Sequence, residues 1–461
     1  MKFVVFNAVC FLMLFLLPVS GVSREVLNLN RCIQIGLLNS YSVKKLENAV
    51  TFSRSQVKSS YGSILPSVDA GFSYNMYNKS YQQLAQQNFP EYKSFNAETT
   101  SKDADYYIRG SLVLFDGFSS LYKIKSAISQ KKGFEYQLKR EKEQLVYDVI
   151  KYYYQLMLDQ ELSSIAEENL LLAKKNLEKI LARVKIGDLS ISDQYQQEAK
   201  VSEYKLLSIQ RQNAVDIDKV NILNKIGYPE IDESLEFDKI ILPKYDHLAG
   251  LDENALINSA LSNRADYIGR KYLADSYKNN VFVSKSELYP KLSMVLQLSS
   301  SGTQVSSYRI DNRNYSVVGQ QDVFDMLSEN TGLLYGLELK WKIFDGFANS
   351  TNIQKSKIDY MNSLNDYNEL KNNIIKEIHC LIADYNSSLS KIHATESGLV
   401  SATQAYLTVY ERYNLGFADF TDLAEAHALL VKAKSEKAQS LYSIDFLDKI
   451  ISYYTGLMNY N

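Results

Sequence analysis

Phe115-Asp116-Gly117-Phe118 recurs 229 residues later as Phe344-Asp345-Gly346-Phe347, and at the same interval Arg183 and Gly187 recur as Arg412 and Gly416. Between these landmarks one stripe runs through both copies without a slip. In the first copy it passes through Leu145, Val149, Tyr152, Leu156, Asp159, Ser163, Ala166, Leu170, Ala173, Leu177, Ile180 and Val184. In the second it passes through Ile374, Ile378, Leu381, Tyr385, Ser388, Ile392, Thr395, Leu399, Ala402, Tyr406, Val409 and Tyr413. Steps of four and three residues sustained this long mark coiled-coil helices. The chain is an internal duplication whose main product is very long helices.

Proline placement supports long helices. Pro18, Pro66, Pro90, Pro229, Pro243 and Pro290 are the whole set, and none falls in 91–228 or after 290. Proline breaks helix interiors, so these clean spans suit long helices. Each repeat then reads helix, strand, loop, strand, long helix, tight turn, helix. The first repeat, 22–227, holds a helix over about 28–62, strands over about 67–77 and 105–115, a long helix over about 118–185 and a return helix over about 190–227. The second, 252–461, repeats this over about 252–286, 291–300, 332–344, 347–414 and 419–455, and a linker, 228–251, joins the two.

The strands alternate with period two. Val68, Ala70, Phe72, Tyr74 and Met76 oppose Ser67, Asp69, Gly71, Ser73 and Asn75, while Tyr106, Ile108, Leu112 and Leu114 oppose Tyr107, Arg109 and Ser111. In the second repeat Leu292, Met294, Leu296 and Leu298 oppose Lys291, Ser293 and Gln297. Its last strand sets Leu333, Tyr335, Leu337, Leu339, Trp341 and Ile343 against Gly336, Glu338, Lys340 and Lys342. Alternation alone favours an ordinary half-buried sheet, because the membrane-barrel signal is weak per strand. The long polar loops, about 78–104 and 301–331, and the export signal below shift the reading to a barrel. Four strands cannot close one, since about eight is the smallest number that does. Three chains sharing a barrel would supply twelve.

The amino end reads as a secretory leader: Met1-Lys2, an apolar run from Phe3 to Leu17, then Pro18-Val19-Ser20-Gly21, with cleavage expected after Gly21. No later stretch approaches the roughly 18 apolar residues of a membrane helix. A net charge of -2 gives no electrostatic case for nucleic acid. Cys32 and Cys380, beyond the leader, are expected free. His247, His379, His393 and His427 show no metal-ligand spacing, and no nucleophile elbow or phosphate loop occurs. No enzyme, cofactor or metal is expected.

The doubled order of elements, Leu65-Pro66 and Tyr289-Pro290 entering the strands, the two Phe-Asp-Gly exits and the two tip turns resemble the TolC family over essentially the whole chain beyond the leader. These are outer-membrane efflux and secretion proteins of Gram-negative bacteria. The resemblance implies a mainly α fold with a membrane β-barrel: a trimeric twelve-stranded barrel in outer-membrane lipid above a long α-helical coiled-coil tunnel in the periplasm. It implies a passive exit duct for a tripartite efflux pump or type I secretion system. Its partners would be a periplasmic adaptor, or membrane fusion protein, and an inner-membrane transporter of RND, ABC or MFS type. The other reading is an exported helical-bundle spacer without a barrel.

The resemblance also assigns residues. Asp422 and Glu425 match an acidic ring at the tunnel entrance, although acids there also serve a helix amino end. Tyr413 matches a gate position and Asp193 its partner region. Ala418 stands where the best-studied members carry arginine, so Arg412 or Arg183 is left to supply a closing link. Tyr413 also reads as heptad core, and Ser190 with Asp193 as a capping box. Gly187 and Gly416, with Arg183, mark the tip turns that meet the adaptor, and Gly187 and Gly416 also read as helix C-caps. Asp188, in place of the apolar residue common there, points to an individual choice of adaptor.

Overall fold

The computed structural model describes residues 26–85, 94–228, 235–243, 251–310 and 313–459. The leader, Pro90, Pro229, His247 and much of the linker lie outside them. Chain contacts divide the protein into two compact units, a helical one of 1–48, 136–268 and 369–461 and a sheet-bearing one of 49–135 and 269–368.

The long helices are α3, Ser119–Lys185, and α8, Ala348–Asn414, each of 67 residues. At 1.5 Å per residue each is about 100 Å long. Their return helices are α4, Ile191–Ile226, and α9, Phe420–Thr455. The helix before each strand pair is expected to be continuous but is two. The first copy has α1, Leu29–Asn39, and α2, Tyr41–Gly62; the second has α5, Glu253–Asn263, and α6, Ala265–Ser286. The break residues Ser40 and Arg264 have extended ψ values of 122° and 123°. Neither break carries glycine or proline, so neither announces itself in the sequence.

In the helical unit the stripe residues Val149, Leu156, Ile374 and Ile378 are fully buried, joined by Ile222 and Ile226 of α4 and Ile444 of α9. Two short strands, β1 (Val26–Leu27) and β4 (Glu236–Phe237), pair in parallel. The buried Tyr153 hydroxyl donates toward carbonyls on both sides of this clamp, at Asp238 (2.6 Å) and Leu27 (3.2 Å). Arg264 anchors the α5–α6 break. Its buried guanidinium donates to Asp266 (2.7 and 3.1 Å) and to Glu377 on α8 (2.5 Å). Arg140 of α3 joins through Asp266 and lies 4.0 Å from the Tyr453 ring centre.

The sheet unit holds β2 (Ser67–Ala85), β3 (Ser94–Phe115), β5 (Lys291–Ile310) and β7 (Gly332–Lys340), antiparallel throughout in the order β2-β3-β5-β7. A short β6, Arg313–Ser316, pairs with the outer end of β5. The first three strands run well past the expected ends at 77, 105 and 300. Ser-, Asn- and Gln-rich segments such as Ser80–Gln82 and Ser299–Thr303 continue the ladder, because backbone pairing does not need apolar side chains. The last strand stops at Lys340 instead of 344.

Register gives each face one character. Val68, Ala70 and Phe72 lie in line with Gly110, Ile108 and Tyr106, then Leu296, Leu298 and Ser300, and Leu296 and Leu298 with Tyr335 and Leu333. The other face carries Asp69, Gly71, Ser73, Asp105, Tyr107, Arg109, Gln297, Ser299 and Glu338. Most of the large apolar side chains on the first face are exposed, which a water-facing sheet avoids. At the exits to α3 and α8, Gly117 and Phe118 take φ of 66° and 67°, and Gly346 and Phe347 of 66° and 69°. The Asp116 and Asp345 carboxylates accept from the backbone N–H of Ser120 (2.8 Å) and Asn349 (3.0 Å), starting each long helix. Among the described residues no helix is long and apolar enough to cross a membrane.

Candidate functional site at the helical tips

Both long helices end the same way. Gly187, at φ 77°, donates to Val184 O (3.0 Å), and Asp188 N–H reaches back to Arg183 O (2.9 Å). Gly416, at φ 79°, donates to Tyr413 O (3.2 Å), and Phe417 N–H to Arg412 O (2.8 Å). This paired closure needs a left-handed residue, which glycine supplies without a Cβ clash. The arginines finish the two turns differently. Arg183 Nε donates to Asp188 Oδ2 at 2.6 Å, whereas Arg412 Nη2 donates to the Phe417 carbonyl at 3.0 Å. Each arginine therefore serves its own turn.

The return helices start on capping groups. The Ser190 hydroxyl accepts from Asp193 N–H (3.3 Å), and Asp193 Oδ2 accepts from Ser190 N–H (3.1 Å) and hydroxyl (3.2 Å), closing a capping box. Asp419 caps α9, accepting from Asp422 N–H at 2.9 Å. Asp422 and Glu425 expose their side chains on α9, and neither is in an ion pair among the described residues. Both carboxylates are thus available to solvent or to another chain.

The two tips share one core. Ile180 of α3 packs with Tyr406 and Tyr413 of α8 and with Phe420, Leu423, Ala426 and Leu430 of α9. Tyr413 is buried, yet its hydroxyl has no hydrogen-bond partner among the described residues. Burial pushes that phenol's pKa up; the Arg183 charge opposes this, and the carboxylates of Asp193 and Asp188 add to it. The Arg183 guanidinium lies 5.8 Å from the Tyr413 ring centre. Asp193 is therefore an electrostatic neighbour of Tyr413 with its hydrogen bonds committed to Ser190.

Several residues here are missed by sequence reasoning. Lys179 donates to the Tyr410 hydroxyl at 2.8 Å, linking the copies and drawing that phenol's pKa down. Gln197 is buried and donates to the Ala173 carbonyl at 2.7 Å. Deeper in, His427 lies between Tyr204 and Tyr406, with ring centres 5.5 and 5.4 Å away, and its Nδ1 is 3.3 Å from the Tyr204 hydroxyl. Burial, helped by the Lys434 and Lys200 charges, pushes its pKa down to about 4, so the ring is neutral. The only signal was the tyrosine series 406, 410, 413 on one side of α8; pairing between copies leaves no local pattern. No group of acids, histidines and cysteines able to hold a metal occurs among the described residues.

An exposed apolar sheet face opposite a polar one has the pattern of membrane-barrel strands, and the two 67-residue helices repeat one design. Residues 256–445 match the family model described as outer membrane efflux protein. Over 93% of its length the chain superposes on VceC from Vibrio cholerae, with a TM-score of 0.76, 14% identity and 96% of that chain covered. The CmeC outer membrane channel of Campylobacter jejuni gives a TM-score of 0.77 at 16% identity, covering 93% of this chain and 86% of that one. The open state of the MtrE outer membrane channel of Neisseria gonorrhoeae gives 0.68 at 14% identity, covering 93% and 89%. No curated protein sequence matches.

Proposed function

We propose that three copies of this chain close one twelve-stranded barrel and form the exit duct of a tripartite efflux pump or type I secretion system. One observation carries the reading: a sheet of four long strands and the short β6, with one exposed apolar face and, among the described residues, no partner on the outer edges of β2 and β7. An open edge seeks a partner strand, and antiparallel closure between copies supplies it without new sequence. The polar face then lines the lumen, and the apolar face meets outer-membrane lipid. The duct performs no chemistry and relies on an inner-membrane transporter of RND, ABC or MFS type.

The tips, with Arg183, Gly187 and Gly416, are the surface for a periplasmic adaptor, and opening is a splaying of the shared tip core. An adaptor drives it by binding the open arrangement better. Tyr413, Asp193 and Arg412 belong to the gate through packing and turn geometry, with Lys179–Tyr410 as the polar link between copies. Asp422 and Glu425 of three chains together form an acidic, cation-favouring entrance.

The first test is the native mass of the protein extracted by mild detergent from separated outer membranes. A stable three-chain species is expected; a monomer, or recovery in the soluble periplasm, overturns the shared barrel in favour of a helical spacer. For the entrance, the Asp422→Asn/Glu425→Gln double variant should lose cation selectivity in bilayer recordings. An unchanged reversal potential removes the ring.

A further inference from the structure

The second repeat carries an element with no counterpart among the described residues of the first. Arg264 follows Ser40 by 224 residues, but Gly346 follows Gly117 by 229, so the second copy holds extra residues between these landmarks. In that interval lies α7, Val323–Glu329, capped by Asp322, whose Oδ1 accepts from Phe324 N–H at 2.9 Å. The helix does not float above the strands. Val323 and Leu327 are buried against Ala104, with Tyr106 alongside, and the Ser300 hydroxyl donates to Leu327 O at 2.7 Å. The Asn330 amide donates to Ser301 O at 3.0 Å, and the Phe324 ring stacks on Tyr74 at 5.7 Å and 13°.

The seat belongs to one particular face. Tyr74, Ala104 and Gly302 are register partners, and they continue the face of Phe72, Ile108 and Leu298. Where that face would place further large side chains, β3 and β5 carry Ala104, Ser300 and Gly302. A Cβ at Gly302 would stand 2.6 Å from Val323 O and 2.9 Å from Met326 Cβ, so only glycine admits the helix there. The notch begins at Ser300, ten residues along β5 from Lys291, about the length of a membrane-crossing strand. The helix therefore sits on the apolar face at the level where the hydrocarbon ends. Phe324 remains 55% exposed beside it, while Asp325, Ser328 and Glu329 are exposed.

We propose that α7 is an interfacial helix lying against the outer leaflet at the boundary between acyl chains and headgroups, with Phe324 as its apolar contact. Continuity with the apolar band selects lipid as the occupant, and the acidic side fits the hydrated headgroup layer. An amphipathic helix at this boundary fixes how deep a barrel sits. The proposal rests on the sheet spanning the membrane, and the test separates the two.

The chain's single tryptophan, Trp341, is first removed by Trp341→Phe in the full-length protein. Into that background go Phe324→Trp or, in the middle of the band, Tyr335→Trp. Each protein is reconstituted in phosphatidylcholine vesicles brominated near the carbonyl end or near the methyl end of the acyl chains. The indole at position 324 should be quenched more by the shallow bromines, and that at 335 more by the deep ones. Quenching at 335 with none at 324 overturns the interfacial helix, leaving α7 in water or covered by a second copy. Quenching at neither position overturns the membrane span, and the helix proposal falls with it. Adding Gly302→Val should dislodge α7, reducing quenching at 324 while leaving it intact at 335; unaltered quenching at 324 would remove the notch as its seat.

Discussion

Replacing Tyr413 with phenylalanine should make the packed tip core more stable. The buried hydroxyl has no hydrogen-bond partner among the described residues, so the packed tip bears its desolvation without compensation. That costs about 1–3 kcal/mol. The Tyr413→Phe ring fills the same space, leaves no cavity and stays beneath the Arg183 guanidinium, 5.8 Å from its centre. The change in that cation–π contact is a fraction of its roughly 0.5–1 kcal/mol at an exposed site. A net gain of about 1–2 kcal/mol per chain remains, a factor of about 5–30 in the local opening equilibrium. Hydrogen exchange on the detergent-extracted full chain reads this directly, through amides around Ile180, Tyr406 and Leu423. They should slow by that factor, while amides around Tyr153 stay unchanged. Faster tip exchange would refute the argument, because it would mean that the hydroxyl holds the tip through a partner on another chain.

His427 makes the same region acid-sensitive. Its folded pKa, about 4, lies below the ordinary value of 6.5, so its neutral form is the one the fold accepts. The stability it supports is present above 6.5 and is lost as pH falls through about 4, so tip exchange should accelerate across that window and His427→Gln should flatten the profile. Arg264→Met removes a buried guanidinium from Asp266, which keeps Arg140, and from the half-exposed Glu377, and should lower the melting temperature more than Arg270→Met, whose pair with Asp366 is exposed. Gly416→Ala places a side chain at φ 79° with no neighbour within 4 Å, so backbone strain alone, about 1–2 kcal/mol, should appear as faster exchange at the second tip. Cys380 is exposed and Cys32 buried, its thiol pushed up to about 12, so maleimide should label Cys380 at once and Cys32 only in denaturant.

The long helices were legible because their signal is redundant: an unbroken stripe, absent prolines and a second copy in phase. The tip turns were legible because left-handed geometry needs glycine, and glycine is visible. The breaks at Ser40 and Arg264 were not. The Arg264 break is held by Asp266 and by Glu377 on α8, partners that no local pattern announces. Strand ends were misplaced because apolar alternation reports only the character of the side chains on each face, whereas the ladder continues on backbone groups through Ser299–Thr303. Helix α7 escaped because a seven-residue helix inside a polar loop is too short to establish a period. At the tip, the residue types of the turns were readable, but the Lys179–Tyr410 link was not, because it joins positions that are not equivalent in the two repeats.

The clamp of β1 on β4 also governs how the chain comes together. Leu27 finds its strand partner only at Phe237, Tyr154 donates to Asp445 across 291 positions, and Arg140 reaches the Tyr453 carbonyl across 313. Each repeat nonetheless buries a core of its own, around Val149, Leu156 and Ile222 in the first and Ala260, Ile374 and Ile378 in the second. A chain emerging amino end first can close that first core once Phe237 is made, and only the contacts between repeats, distant in sequence and slow to form, wait for the last helix. A truncation that removes α9 should therefore spare the first core and expose Val146, Ile150 and Tyr154, which pack against Ile450 and Tyr453.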